Sequence, residues 1–207
     1  MLEKSSPNIE SFKRDNESLE DLLIFESYLK KWDIPYFLTN GTLLGCIRNQ
    51  KFIEWDIDID LDTSQHLMRN EYINLIQALK REKFSGVLTY TRNYPKITCR
   101  RKGRPISFGG FKENKNYFER SKYRYPKDFF GVPNFSGRKG FLYGYQFLVP
   151  LRSEDYLTWI YGNWREEIKS EDEDVYSTGK HYIKPVFTRK IRTIKYGISA
   201  RIRSRIF

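Results

Sequence analysis

Four aspartates alternating with apolar residues are the feature of this 207-residue chain that most constrains its fold. The alternation in segment 56–62, DIDIDLD, predicts an extended strand whose two faces differ. One face would collect the apolar side chains of Ile57, Ile59 and Leu61. The other would collect four carboxylates, those of Asp56, Asp58, Asp60 and Asp62. Neighbouring acids on that face would stand about 6.7 Å apart at the backbone, so their repulsion favours a bound cation.

A Gly-Thr pair, Gly41-Thr42, follows an apolar run that predicts another strand, Ile34 to Thr39. Glycine lets a backbone approach phosphate closely, and a short helix from Thr42 to Arg48 would point its N-terminus at the same place. Carboxylates on the next strand could hold Mg²⁺ or Mn²⁺ that bridges phosphate oxygens. The segment therefore predicts a phosphoryl-transfer site in which Asp56 and Asp58 are the metal ligands.

The spacing of these residues resembles the signature of the nucleotidyltransferase superfamily, in which glycine and a small hydroxyl residue precede an Asp-apolar-Asp strand. Asn40 departs from that signature, since an apolar residue usually stands there. The longer segment 41–60, GTLLGCIRNQKFIEWDIDID, resembles the LicD family of bacterial phosphocholine transferases, whose eukaryotic relatives include fukutin and fukutin-related protein. Downstream, Val149-Pro150 and segment 156–164, YLTWIYGNW, resemble that family's Val-Pro and Tyr-Gly-Asp-Trp elements.

The resemblance implies a metal-dependent transferase that moves a phospho-substituent, such as phosphocholine, from a CDP-linked donor to a glycan hydroxyl. The acceptor would be a cell-surface or capsular glycan precursor, including lipid-linked ones. The catalytic acids would be Asp56, Asp58 and Asp60, and the substrate-binding residues would be Gly41, Thr42 and Arg48. His181 is a further candidate phosphate contact, although a lone histidine is more often structural.

One element of the family pattern differs in this chain. The strand after the central hairpin usually carries another carboxylate, whereas segment 106–111 reads ISFGGF. Nucleotidyltransferase sites commonly need a third acid to complete the metal shell or to take a proton from the acceptor. Asp60, Glu113 and Asp128 are candidates, and the sequence does not select among them.

Three other functions fit parts of the same pattern. A nucleotidyltransferase that moves a nucleoside monophosphate to a small molecule, protein or RNA would use the same glycine and acids. A glycosyltransferase is weaker, because about 55 residues ahead of the acids leave little room for a nucleotide-binding half. A non-enzymatic membrane- or RNA-binding module would use the acids only to protect a sheet edge.

The apolar periodicity predicts an α+β domain over residues 1–178, with a mixed β-sheet flanked by helices that resembles the nucleotidyltransferase fold. Residues 1–16 would be a mobile lead-in, and helices are expected at 18–31, 64–81 and 153–161. Strands are expected at 86–91, 94–101 and 106–111. Residues 112–148 would be loop-rich, with aromatics beside Lys and Arg as a candidate nucleoside and acceptor wall. Cys46 and Cys99 are too few for a disulfide framework or a zinc site and are expected to be small buried or indifferent side chains.

The charge is concentrated at one end of the chain. Of the formal net charge of +11, nine positive charges fall in residues 179–207, which contain no acid, so the remainder carries +2. This tail predicts a basic C-terminal helix whose apolar stripe, 187–207, contacts an anionic membrane or docks on the domain. The near-neutral remainder of the chain offers no uniformly basic face for DNA. No apolar run approaches the ~20 residues of a membrane span, and no secretory signal is visible. A cytoplasmic location, with peripheral attachment to the inner face of the cell membrane as an option, is the expectation.

Overall fold

The computed structural model describes residues 9–90, 95–120, 123–131 and 136–167. Its helices are α1 (Ile9–Lys31), α2 (Asn40–Asn49), α3 (Gln65–Arg81) and α4 (Ser153–Tyr161). Its strands are β1 (Phe37–Leu38), β2 (Ile59–Ser64), β3 (Ser85–Tyr90), β4 (Pro95–Arg100), β5 (Ile106–Glu113), β6 (Tyr117–Arg120), β7 (Tyr123–Pro126), β8 (Arg138–Leu142) and β9 (Tyr145–Val149). A 3₁₀ turn, Lys127–Phe130, follows β7.

The strands form a mixed sheet in the order β1-β2-β5-β4-β3, extended by the β6–β7 hairpin, while β8 and β9 form a separate hairpin. β2 and β5 run parallel, which places Asp60 opposite Ser107 and Asp62 opposite Gly109. The other pairings among the described strands are antiparallel. The predicted α+β class with a helix-flanked mixed sheet is confirmed.

Two helices were predicted with near-correct bounds because their ends carry local signals. Ser64 precedes α3, whose Leu75 and Leu79 are buried. Gly162 follows α4 with a φ of 64° and donates its N–H to the carbonyl of Thr158 at 3.0 Å. A positive φ at the residue that closes the last turn suits glycine, which adopts it without a steric penalty.

The predicted strand 56–62 is wrong at its beginning. β2 starts at Ile59, and Asp56 to Asp58 lie in the loop before it. Ile57, expected in the core, is 78% exposed, whereas Ile59 and Leu61 are buried as predicted. The loop avoids the strand ladder because Arg104 takes its carbonyls, donating to Asp56 O at 2.9 Å and Ile53 O at 3.4 Å.

The predicted mobile lead-in is also wrong over its described part, since α1 begins at Ile9. The polar residues of its first turns bind the loop that carries the acids. Arg14 donates to the carbonyl of Glu54, and Asp15 accepts from Arg104 at 2.7 Å. Tertiary contacts of this kind override weak local propensity.

The region expected to be loop-rich contains the β6–β7 and β8–β9 hairpins. Its buried aromatic rings pack against neighbouring elements, with centroid distances of 4.9 Å from Phe130 to Phe111 of β5 and 5.4 Å from Tyr125 to Tyr156 of α4. Phe141 and Tyr145 remain exposed at the β8–β9 hairpin. The buried rings therefore form core, and a ligand-wall role for the exposed rings stays a prediction.

Cys46 and Cys99 are buried thiols, as predicted. His181 and the basic tail at 179–207 lie outside the described residues, so their predicted roles remain predictions. Among the described helices, none combines the length and apolarity needed to cross a membrane.

Candidate active site

The carboxylate of Asp56 lies directly on the first turn of α2. A Cβ added at Gly41 would stand 2.2 Å from Asp56 Oδ2 and 3.0 Å from its Cγ. Only a glycine allows the acid to approach the helix backbone this closely. The sequence-predicted partners Gly41 and Asp56 are therefore in contact.

The N-terminus of α2 has no side-chain cap, although Thr39 stands at the N-cap position. The Thr39 hydroxyl instead donates to Asp62 Oδ2 at 2.7 Å. Because the first N–H groups of a helix have no partner within the helix, this end can receive an anion. Thr42 can contribute through its backbone N–H, since its side chain is 1% exposed and its hydroxyl accepts from the Asp60 N–H at 2.9 Å.

Asp58 and Asp60 complete the acid cluster at the start of β2. Ser107, from β5, donates its hydroxyl to Asp58 Oδ2 at 3.2 Å. Asp60 lies close to Asp58, Asn40 and Arg120. Burial, and then the charges of Asp58 and Asp60, raise the pKa of Asp56 to about 7. Burial also raises the pKa of Asp60 to about 6, against the opposing charge of Arg120.

This donor set fits Mg²⁺ or Mn²⁺. Carboxylates that repel one another gain from a cation, and hard oxygen ligands suit both ions. Within the described residues, no three His, Cys, Asp or Glu side chains are arranged as a complete metal site. Mg²⁺ is commonly bound by one or two carboxylates plus water and substrate phosphates, and Asp56 and Asp58 would supply that pair.

Asp62 does not belong to the open cluster, contrary to the prediction of four acids on one face. Its side chain is fully buried, and it binds Arg120 Nη1 of β6 as well as the Thr39 hydroxyl. Gly109 makes room for this ion pair, since a Cβ there would stand 2.5 Å from Asp62 Oδ1. Asp62 is therefore a buried acid whose charge is balanced by Arg120.

Arg120 was not identified from the sequence, and its removal is expected to be costly. Arg120→Met should lower the free energy of unfolding by about 3 to 5 kcal/mol at pH 8, because Asp62 would remain buried without its cation. Burial raises the pKa of Asp62 to about 7, so the loss should shrink at pH 5, where the carboxyl is protonated. Urea unfolding at both pH values measures this.

Arg124→Met is the matched control, since Arg124 lies in the same hairpin and contacts only the face of Tyr117 among the described ring contacts, at 4.7 Å. Its loss should cost well under 1 kcal/mol. Equal losses for the two variants, or an Arg120→Met loss that does not depend on pH, would contradict the buried-pair account.

Arg104 anchors the loop of Asp56 and was also not identified from the sequence. Its side chain is 1% exposed and lies over the ring of Phe52 at 4.9 Å. Besides the two loop carbonyls, it binds Asp15. The buried guanidinium of Arg104 therefore holds the loop of Asp56 in place.

The remaining predicted residues lie elsewhere. Arg48 is in the last turn of α2, about 10 Å along the axis from Gly41, and pairs with Glu167 at 3.6 Å. Its phosphate role stays a prediction. Of the candidate third acids, Glu113 pairs with Lys127 at 2.6 Å and Asp128 pairs with Arg152, both at the surface. Only Asp60 lies with Asp56 and Asp58.

The raised pKa values make a prediction about metal binding. A metal needs ionised ligands, so Mn²⁺ affinity should be at least about tenfold higher at pH 8.0 than at pH 5.5, because the ligand Asp56 loses its proton and the neighbouring Asp60 gains its negative charge. Without metal, the folded protein holds these protons more tightly than the unfolded chain does. Its free energy of unfolding should therefore fall as the pH rises from 5.5 to 8.0. Electron paramagnetic resonance titration of Mn²⁺ measures the affinity. Because Asp56 is the proposed ligand with a raised pKa, a pH-independent affinity would show that Asp56 is not a ligand.

Comparison with known proteins gives one family. The model of the LicD/FKTN/FKRP nucleotidyltransferase domain matches residues 33–156. The lipopolysaccharide cholinephosphotransferase LicD of Haemophilus influenzae is 37% identical over 54 residues, which is 26% of this chain but only 19% of that protein.

Two solved structures of the antibiotic-resistance factor ANT(2'')-Ia also resemble the fold. The solution structure has a TM-score of 0.48 at 13% identity, covering 69% of this chain and 71% of that one. The crystal structure in complex with adenylyl-2''-tobramycin has a TM-score of 0.43 at 12% identity, covering 64% and 69%.

Proposed function

The chain belongs to the LicD/FKTN/FKRP nucleotidyltransferase-domain family, and from that premise we propose that it is a metal-dependent phospho-substituent transferase. Its donor would be a CDP-linked alcohol such as CDP-choline, and its acceptor a hydroxyl of a glycan precursor. The observation that carries the proposal is the contact of Asp56 with Gly41 at the uncapped end of α2. It puts an anion site and an acid cluster in one place, as transfer from a diphosphate requires.

The reaction balances as a single displacement. The acceptor oxygen forms a bond to the phosphorus that carries the alcohol, and the bond from that phosphorus to the bridging oxygen breaks. CMP leaves with the bridging oxygen, and the acceptor proton goes to a base. A bound Mg²⁺ would neutralise charge on the diphosphate during this step.

Different residues of this chain would bind the donor, hold the cation and accept the proton. The N–H groups at Gly41 and Thr42 would bind donor phosphate oxygens, aided by the helix dipole. Asp56 and Asp58 would hold the divalent cation. We assign the acceptor proton to Asp60, because it is the candidate third acid that lies with the other two.

Donor preference tests this proposal. Isothermal calorimetry with CDP-choline, CTP and CMP, each with and without Mg²⁺, should show tightest binding of CDP-choline, with Mg²⁺ strengthening it by at least tenfold. Asp58→Asn should remove the effect of the metal, while Glu113→Gln, changed at a surface ion pair, should keep it. Tighter binding of CTP than of CDP-choline would favour nucleotidyl transfer instead.

A further inference from the structure

Residues 50–58 form the loop that connects α2 to β2 and carries Asp56. Backbone carbonyls at four positions of this loop accept hydrogen bonds from residues that lie outside it. The pairs are Tyr143 N to Gln50 O at 2.8 Å, Arg104 Nη2 to Ile53 O at 3.4 Å, Arg14 to Glu54 O, and Arg104 Nε to Asp56 O at 2.9 Å. The path of the loop is therefore set by donors from α1, from the turn after β4 and from the turn after β8.

Asp15 of α1 joins two of these donors. Its Oδ1 accepts from Arg104 Nη1 at 2.7 Å, and its Oδ2 accepts from the hydroxyl of Tyr143. The same hydroxyl accepts from the Phe52 N–H at 3.3 Å. A single carboxylate therefore orients both the guanidinium that holds the Asp56 carbonyl and the phenol that holds Phe52.

The charge of Arg104 makes Asp15 difficult to replace. The side chain of Arg104 is 1% exposed, and its other acceptors are the two loop carbonyls and the hydroxyl of Ser18 at 3.3 Å. These acceptors are neutral, so within the described part of the chain Asp15 is the carboxylate in ion-pair contact with Arg104. A buried cation that loses its partner ion is strongly destabilised. Without Asp15, we expect Arg104 to move towards water and release the loop.

We propose that Asp15 is a positioning residue for the metal ligand Asp56, acting through Arg104 and Tyr143. Its two hydrogen bonds hold these donors on the loop, and the loop places the carboxylate of Asp56 against Gly41. A displacement of about 1 Å in a group of this kind costs on the order of 100-fold in rate. The effect on metal binding and turnover rests on the proposed function, whereas the effect on the loop does not.

Hydrogen–deuterium exchange of the metal-free protein, measured by mass spectrometry of its peptides, reads the loop directly. Asp15→Ala should speed exchange of the backbone amides in 50–58 at least about tenfold, because the loop then opens locally. Tyr143→Phe removes the hydroxyl but keeps the ring against Phe52, at a centroid distance of 5.5 Å, and should speed the same amides at least about threefold. Exchange in β3 and β4 should be unchanged in both variants, which separates release of the loop from a general loss of stability.

The matched control is Glu20→Ala, which removes another acid of α1 whose partners are Arg101 and Lys102 of the turn after β4. It should leave loop exchange as in the wild type, and its Mn²⁺ affinity should stay within about twofold, whereas Asp15→Ala should lose at least about tenfold. If the wild type binds no Mn²⁺, the proposed function fails and exchange alone decides whether Asp15 positions the loop. Should Asp15→Ala not fold, Tyr143→Phe decides it. Wild-type loop exchange in the folded variants, or equal acceleration in Glu20→Ala, overturns the positioning role.

Discussion

Asp58→Asn is expected to lower kcat/KM for transfer from CDP-choline by at least about 1,000-fold while the protein stays folded. Loss of metal-assisted charge stabilisation removes several kcal/mol from the transition state, and each 1.4 kcal/mol is a factor of ten. The asparagine has the same shape and can still accept from Ser107. Removing one charge from a repelling cluster should leave the free energy of unfolding unchanged or raise it.

Steady-state kinetics and Mn²⁺ titration of the same preparation measure this expectation. Asp128→Asn is the matched control, because Asp128 pairs with Arg152 at the surface. It should retain nearly full turnover and full Mn²⁺ affinity. If Asp58→Asn keeps more than a tenth of the wild-type kcat/KM, Asp58 is not a ligand of a catalytic metal.

Gly41→Ala should lower kcat/KM by about 100-fold without unfolding the protein. The new methyl group would stand 2.2 Å from Asp56 Oδ2, and the flexible carboxylate is the group that must move. Alanine is favoured over glycine within a helix by about 1 kcal/mol, so lost stability would not explain lost activity. The variant therefore tests the contact between the anion site and the acid cluster.

The control for this substitution is Gly86→Ala in β3, where the nearest atom to a new Cβ is Thr98 O at 4.0 Å. It should behave as wild type in turnover and in Mn²⁺ binding. Thermal unfolding of both variants separates misfolding from a displaced acid. Wild-type turnover and Mn²⁺ affinity in Gly41→Ala would show that Asp56 does not act from its place on α2.

Elements with local signals could be predicted from the sequence. Helix α3 follows Ser64, and α4 ends at Gly162, and both signals lie within the element or beside it. The start of β2 could not be predicted, because alternation continues unbroken from Asp56. Asp56 is held outside the strand by Arg104, 48 residues further along, which donates to its carbonyl.

The same limit applies to the candidate site. The spacing predicted that Gly41 and the first three acids would meet, since a turn and an adjacent strand bring them together. It could not separate Asp62 from Asp60, because both follow the same alternation. The difference comes from Arg120 on β6, a partner 58 residues away that no local pattern selects among the basic residues of the chain.

The most direct test of the central claim is the fate of isotope-labelled water in CDP-choline hydrolysis. With Mg²⁺ and H₂¹⁸O as acceptor, attack at the choline-bearing phosphorus puts ¹⁸O into phosphocholine, and attack at the nucleotidyl phosphorus puts it into CMP. Phosphorus-31 nuclear magnetic resonance distinguishes the two by their isotope shifts. We predict Mg²⁺-dependent ¹⁸O in phosphocholine, absent in Asp58→Asn. Label in CMP, or no Mg²⁺-dependent turnover, would contradict a phospho-substituent transferase.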